Sequence, residues 1–182
     1  MIAALPASFV PRNTRERLRG MDEFASRFDN RIDAKGRVSI PASFRAVLAK
    51  EGAEEIFCYP HLDRAALEAG GGRLVEKIKG ILDGFAIDSP ERDEIATAYF
   101  GESEKIKVDP DGRAVLPKRL RDHAGITDIA VFVGLGDKFQ VWAPTAYEEF
   151  RTEARERARA HRRELGAGNR PLADGRKEGV PE

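Results

Sequence analysis

Apolar residues along the chain change their period twice, in nearly the same way. Ile32, Val38 and Ile40 alternate with polar neighbours around a short polar stretch carrying Gly36, which predicts a strand, a tight loop and a second strand. Pro41 follows, its fixed φ and missing N–H suited to the first position of a helix. Phe44, Val47 and Leu48 then recur at helical spacing until Gly52. Ile56-Phe57-Cys58-Tyr59-Pro60 reads as a strand that completes this unit. The pattern then returns. Residues 105–108 read as extended, a loop passes through Gly112, residues 114–116 form a strand, Pro117 opens a helix and Gly125 closes it. Ile129 to Val133, a Gly134-Leu135-Gly136-Asp137 turn and Lys138 to Trp142 predict a hairpin.

The intervening and flanking stretches read differently. Asp63 is placed to cap a helix through Ala69, broken by Gly70 to Gly72. Leu74, Val75, Ile78, Ile81 and Leu82 follow helical spacing, and Ser89-Pro90 starts another helix with Ile95, Ala96, Tyr99 and Phe100 inward and Gly101 at its end. This helical insert reads as a packing spacer, with a subunit-contact surface as the alternative. Thr145 and Glu148 have capping-box spacing, predicting a last helix to about Leu165 whose Arg, Glu and Ala pattern suits a solvated face. Residues 166–182, rich in Gly, Pro and charge, read as a disordered tail. Residues 1–20 are an apolar but short, proline-broken prefix unlike a secretory signal, and Met21 reads as the true start or the end of a disordered extension.

The two periodic units align without gaps. Asp109 lies 76 residues after Asp33, and at that offset Gly36 meets Gly112, Arg37 meets Arg113, Pro41 meets Pro117 and Arg45 meets Arg121. Ile32, Ile40 and Phe44 meet Val108, Leu116 and Leu120. Turn residues, a helix-start proline and charges matching in register indicate two copies of one module. Each copy is too small to bury an apolar face alone, so the two are expected to share a core. The predicted organisation is a first module over residues 25–72, a helical linker over 73–103, a second module over 104–147, and a C-terminal helix and tail over 148–182.

Composition narrows the function classes. Lys+Arg and Asp+Glu both number 31, so the chain as a whole lacks the basic excess typical of nucleic-acid binders. Any DNA affinity must come from local clustering multiplied by self-assembly. The single cysteine, Cys58, precludes an intramolecular disulfide. Cys58 and His61 have C-x-x-H spacing, but a structural zinc site needs about four ligands, and a packed cysteine is the default. Nucleophile-elbow, P-loop and zinc-protease motifs are missing, Asp109-Pro110-Asp111-Gly112 lacks the later ligands of a calcium loop, and Gly134-Leu135-Gly136 lacks the third glycine of a dinucleotide site. The chain does not read as an enzyme, and no cofactor is expected.

The doubled D-x-x-G-R…P…R motif, the Gly134-Leu135-Gly136 turn and Phe139-Gln140-Val141-Trp142 resemble the MraZ family, built of two tandem SpoVT/AbrB-type domains, over about residues 21–150. That resemblance implies an α+β fold in which two AbrB-like β-modules share a swapped-hairpin β-barrel, with short helices and a C-terminal helix. It further implies ring-shaped homo-oligomers and a cytoplasmic, nucleoid-associated DNA-binding regulator that represses its own promoter region and the division and cell-wall gene cluster. Double-stranded promoter DNA and other copies of the chain are the expected partners, with no membrane.

Within each loop, Asp33 and Asp109 with Gly36 and Gly112 are the expected structuring residues, since Asp can accept backbone N–H bonds and Gly reaches positive φ. The candidate DNA contacts are Lys35 and Arg37, then Arg113, with Arg31 and Arg45 beside them. Arginine can fork onto guanine and lysine can neutralise phosphate. A local Asp33–Arg37 pair is an equally open reading of the same spacing. Asp111 stands where Lys35 stands in the first copy, so the first module is expected to dominate affinity. The alternative function is an antitoxin-like or other protein-interaction module on the same fold.

Overall fold

A computed structural model describes residues 22–168. The expectations for residues 1–20 lie outside the described residues, as does the predicted tail beyond Gly168. The elements, in order, are β1 (Arg27–Arg31), β2 (Arg37–Ser39), α1 (Ala42–Lys50), β3 (Glu55–Pro60), β4 (Ala66–Gly70), α2 (Gly72–Leu82) and α3 (Pro90–Ala96), which runs into a wider π-type turn (Thr97–Gly101). They continue as β5 (Glu104–Lys107), β6 (Arg113–Val115), α4 (Lys118–Ala124), β7 (Ile129–Gly134), β8 (Phe139–Trp142) and α5 (Pro144–Gly168). The fold is α+β.

Six strands form one antiparallel sheet in the order β1-β7-β8-β4-β3-β5, and β2 pairs with β6 in a separate two-stranded ribbon. Exchanging the two sequence copies maps this order onto itself. Strand β1 of the first copy pairs with β7 of the second, and β5 of the second pairs with β3 of the first. The pairs β4–β8 and β2–β6 sit where a two-fold axis relating the copies would pass. Neither copy can therefore complete its sheet alone.

The core follows from this exchange. One apolar cluster takes Ile32, Val38, Ile40 and Phe44 from the first copy and Ala114, Leu116, Leu120 and Phe132 from the second. Phe44, fully buried on α1, is its hub: its ring meets Phe24, Phe28, Phe132 and Phe139 at centroid separations of 5.3, 5.5, 6.5 and 5.0 Å. Cys58 is packed in the same cluster, and burial pushes its thiol up to about 12. A second cluster, Phe57, Tyr59, Leu74 and Ile78, seats α2 on the sheet, with Tyr99 and Phe100 packed against it. The helical insert thus packs through α2 and the π-type turn against Phe57 and Tyr59, while Ile81 and Ile87 of the same insert stay exposed. Ser89 caps α3, its Oγ accepting from the Arg92 N–H at 3.2 Å.

One expected element is corrected. The segment from Asp63 to Ala69 is not a helix, and Ala66–Gly70 is strand β4. Its Ala-Leu-Glu-Ala composition favours helix, but partners on both sides, β3 and β8, and burial of all five residues override that preference. The last helix begins at Pro144, so Thr145 is its second residue rather than its cap.

Burying β4 also buries a charge. Glu68 accepts from Lys138 Nζ at 2.8 and 2.9 Å, from the Tyr59 hydroxyl at 2.5 Å and from Gln140 Nε2 at 3.1 Å, while Trp142 Nε1 donates to Gln140 Oε1 at 3.0 Å. Burial alone would push the Glu68 carboxyl up, but these donors reverse it and hold it below its ordinary value.

The chain divides between Ala146 and Tyr147 into two compact units. In the second, residues 151–165 are almost all exposed, and the pairs Glu148–Arg151 and Glu153–Arg157 lie one turn apart along the helix.

Candidate nucleic-acid interface

The two Asp-to-Arg loops close in the same way. In the first, Asp33 N–H donates to Arg37 O at 3.0 Å, and Gly36 N–H donates to Asp33 O at 2.9 Å with Gly36 at φ +81°. The Asp33 carboxylate accepts the N–H groups of Lys35 and Arg37, both at 2.9 Å, and Arg37 Nε at 2.7 Å. The Arg37 N–H, followed by its guanidinium, holds that carboxyl below the usual carboxylate range. In the second loop, Asp109 N–H donates to Arg113 O at 2.8 Å, Gly112 N–H to Asp109 O at 2.9 Å, and Arg113 N–H to Asp109 Oδ1 at 2.8 Å. Here the arginine side chain differs, because the Arg113 guanidinium has no polar side-chain partner among the described residues.

The loops are also locked to each other. Leu116 N–H donates to Gly36 O and Ile40 N–H to Gly112 O, both at 2.9 Å, extending the β2–β6 pairing at both ends. Arg45 Nε donates to Ile40 O at 3.2 Å while its guanidinium lies over Gly112. In mirror fashion Arg121 Nε donates to Leu116 O at 3.0 Å and covers Gly36. Arg45, expected beside the DNA contacts, is thus bonded at Nε to Ile40 O of its own module, with its guanidinium packed against the second loop at Gly112.

Alternation decides what the ribbon presents. Val38 and Ala114 point into the core, so Arg37 and Ser39 on β2 and Arg113 and Val115 on β6 all face outward. The register sets Arg37 opposite Val115 and Ser39 opposite Arg113, which places the two arginines on a diagonal. A shallow depression of about 450 Å³ joins Arg37, Ser39 and Arg113 with Arg31, Ile32 and Asp33. Three expected contacts, Arg31, Arg37 and Arg113, therefore converge. Lys35 stands on the exposed loop tip outside the depression. Arg31 has no polar side-chain partner among the described residues, whereas Arg27, four residues back on the same face, is forked onto Asp29 at 2.8 and 2.8 Å.

A family model described as "MraZ protein, putative antitoxin-like" matches residues 99–166. The transcriptional regulator MraZ of Xanthobacter autotrophicus is 48% identical over 147 residues, spanning 81% of this chain and 94% of that protein. The protein of the same name from Azorhizobium caulinodans is 46% identical over 149 residues (82% and 95%), and that of Pelagibacter ubique 39% over 142 residues (78% and 92%). The chain belongs to the MraZ family.

In this MraZ chain, four cations, Arg31, Lys35, Arg37 and Arg113, stand near three loop carboxylates, Asp33, Asp109 and Asp111. Asp33 and Asp109 are already occupied by backbone N–H groups. The local surplus of positive charge is small. Sequence reasoning missed Ser39 and Val115 as members of this MraZ surface, although period-2 alternation outward from Arg37 and Arg113 points to both.

Proposed function

We propose that this chain is a DNA-binding transcriptional regulator that lays the outer face of its β2–β6 ribbon in the major groove of its own promoter region. The major groove admits a two-stranded ribbon, and the observation that carries the reading is the outward diagonal of Arg37 and Arg113. Bonding Arg37 Nε to Asp33 orients the guanidinium and leaves both Nη groups for guanine O6 and N7. Arg31 and Lys35 neutralise phosphates beside that contact. Its relatives' shared name, transcriptional regulator, supports the same reading.

In this reading the two modules, residues 25–72 and 104–147, form one swapped-hairpin barrel, which the exchange of β1 and β5 between the copies supports. The protein acts as a ring-like homo-oligomer in the cytoplasm, at the nucleoid. It binds tandem repeats and represses the division and cell-wall gene cluster. Repetition of the ribbon around a ring supplies by avidity what the small surplus of charge does not. No described helix is long and apolar enough to cross a membrane.

The test is a gel shift with the DNA immediately upstream of the protein's own gene, with native mass measured on the same sample. Wild type binds and is displaced by that DNA but not by random duplex, while Arg37→Ala loses specific binding at unchanged oligomer mass. Specific binding that survives Arg37→Ala sinks the proposal. Co-purification with a small toxic protein, in place of DNA binding, selects the antitoxin-like alternative.

A further inference from the structure

Helix α5 carries the positive charge that the chain as a whole lacks. Between Arg151 and Leu165 six arginines stand against three glutamates, while the full sequence balances 31 cations with 31 carboxylates. The acids are not spread evenly among the arginines. At about 100° per residue, Arg151, Arg155, Arg159 and Arg162 fall within one arc of about 80°, and Glu153, Arg157 and Glu164 lie on the opposite side. On that opposite side the charges meet locally: Arg157 is bonded to Glu153 at 2.6 Å, and Glu164 lies 3.7 Å from His161. On the arginine side only Arg151 is paired, with Glu148 at 2.8 Å. Arg155, Arg159 and Arg162 are exposed and have no polar side-chain partner among the described residues. Arg151, Arg155 and Arg159 border one shallow depression of about 390 Å³, together with Glu148, Thr152 and Glu156.

We infer that this stripe of α5 is a second duplex-binding surface, on which Arg155, Arg159 and Arg162 neutralise backbone phosphates without reading sequence. Other uses of the helix fit its composition less well. None of the arginines stands in the last turn, where a cation would offset the helix dipole. A helix lying on a bilayer needs large apolar residues opposite its basic face, and a coiled-coil seam needs them every three to four residues. From Arg151 to Leu165 the apolar residues are three alanines and Leu165 alone. A row of cations that advances about 6 Å with each four residues suits an anion that itself repeats, as duplex phosphates do. The contact adds affinity for any duplex and leaves discrimination to the ribbon, whose own loops carry carboxylates among their cations. This inference rests on the DNA-binding reading above and extends it to a separate surface.

The experiment uses the full chain and fluorescence anisotropy on a random-sequence duplex, across about 50 to 200 mM salt. The combined variant Arg155→Gln, Arg159→Gln and Arg162→Gln keeps helix propensity, so helicity and native mass should match wild type. Its affinity for random duplex should fall about 10-fold or more at the low-salt end, and its salt slope should drop by about two to three for each engaged helix. Lysine at the same three positions should restore both, because a phosphate needs the charge and not the fork. Glu153→Gln with Arg157→Gln, on the opposite side, should leave both near wild type. Unchanged affinity and slope in the glutamine variant, or a lysine variant as weak as the glutamine one, would overturn the inference. So would a changed native mass with binding per protomer intact, which would make the stripe a contact between copies of the chain. Those outcomes leave the ribbon contact standing, since specific binding by Arg37→Ala decides that, whereas a wild type that binds neither duplex removes both readings.

Discussion

The guanidinium of Arg121 lies against Gly36, so that a Cβ at Gly36 would fall 3.2 Å from Arg121 Nε and 2.9 Å from the carbonyl oxygen of Leu116. Arg45 stands over Gly112 in the same way, with Cζ at 2.6 Å from the equivalent point. Each module's helix therefore closes the loop of the other module, and the ribbon's shape depends on both.

Alanine at these glycines should separate strain from crowding. Gly52→Ala meets only the φ +69° strain, since nothing lies within 4 Å, and should cost about 1 kcal/mol. Gly36→Ala adds a backbone oxygen that cannot step aside and should cost about 2–3 kcal/mol. At Gly112 the obstacle is the end of a flexible side chain, so Arg45→Ala should relieve part of the Gly112→Ala penalty. Urea unfolding of both single variants and the double variant reads this coupling, and strict additivity would show that Arg45 does not pack as described.

Charge and fork should separate at Arg37. Arg37→Lys keeps the cation but loses the bidentate geometry, so binding to random duplex should stay near wild type. Affinity for the specific site should fall about 10-fold or more for each engaged ribbon. Lys35→Ala should do the reverse, lowering specific and random affinity alike and reducing the salt slope by about one for each engaged copy. Fluorescence anisotropy across a salt series distinguishes the two patterns.

The repeat, the loops and the terminal hairpin were legible because each depends on local chemistry: an Asp that accepts N–H bonds, a Gly at positive φ, a Pro before a helix. Strand β4 was not, because Ala66 to Ala69 carry helix-forming residues and only their position between β3 and β8 makes them a strand. The same limit applies to the site. Arg37 and Arg113 stand out in the sequence through the repeat, but the roles of Arg45 and Arg121 in closing the loops depend on contacts 67 and 85 residues away, at Gly112 and Gly36. No local pattern reports such contacts.

Phe44 joins the two copies through the core. Its ring belongs to the first copy and meets Phe132 and Phe139 of the second, both buried. Phe44→Ala should cost about 3–5 kcal/mol through the cavity it leaves, and Phe44→Leu clearly less. Thermal unfolding should remain a single transition in both, since the copies share one apolar cluster. Two separated transitions would show that each copy folds by itself.

Glu68 should make stability depend on pH in a predictable direction. In the wild type its folded carboxyl lies below its ordinary value, so its contribution is present above that value and lost as pH falls through the folded one. Lys138→Met removes the cation at 2.8 Å and leaves a buried carboxylate with two neutral hydrogen-bond donors, Tyr59 and Gln140, and His61 Nε2 3.8 Å away, its imidazole held below its ordinary value by burial. Because Lys138 is itself partly exposed, the cost at neutral pH should be about 2–3 kcal/mol, below that of a fully buried pair. In the variant the folded carboxyl moves above its ordinary value, which reverses the sign: acidification now favours its folded state. Since only the two folded states differ, the difference from wild type should be largest near pH 7 and shrink as pH falls from the variant's raised carboxyl value, above the ordinary 4.5, to the wild type's lowered one. Guanidinium unfolding of both proteins between pH 4 and 8 tests this, and a difference that does not change with pH would mean that Lys138 stabilises by packing and not by charge.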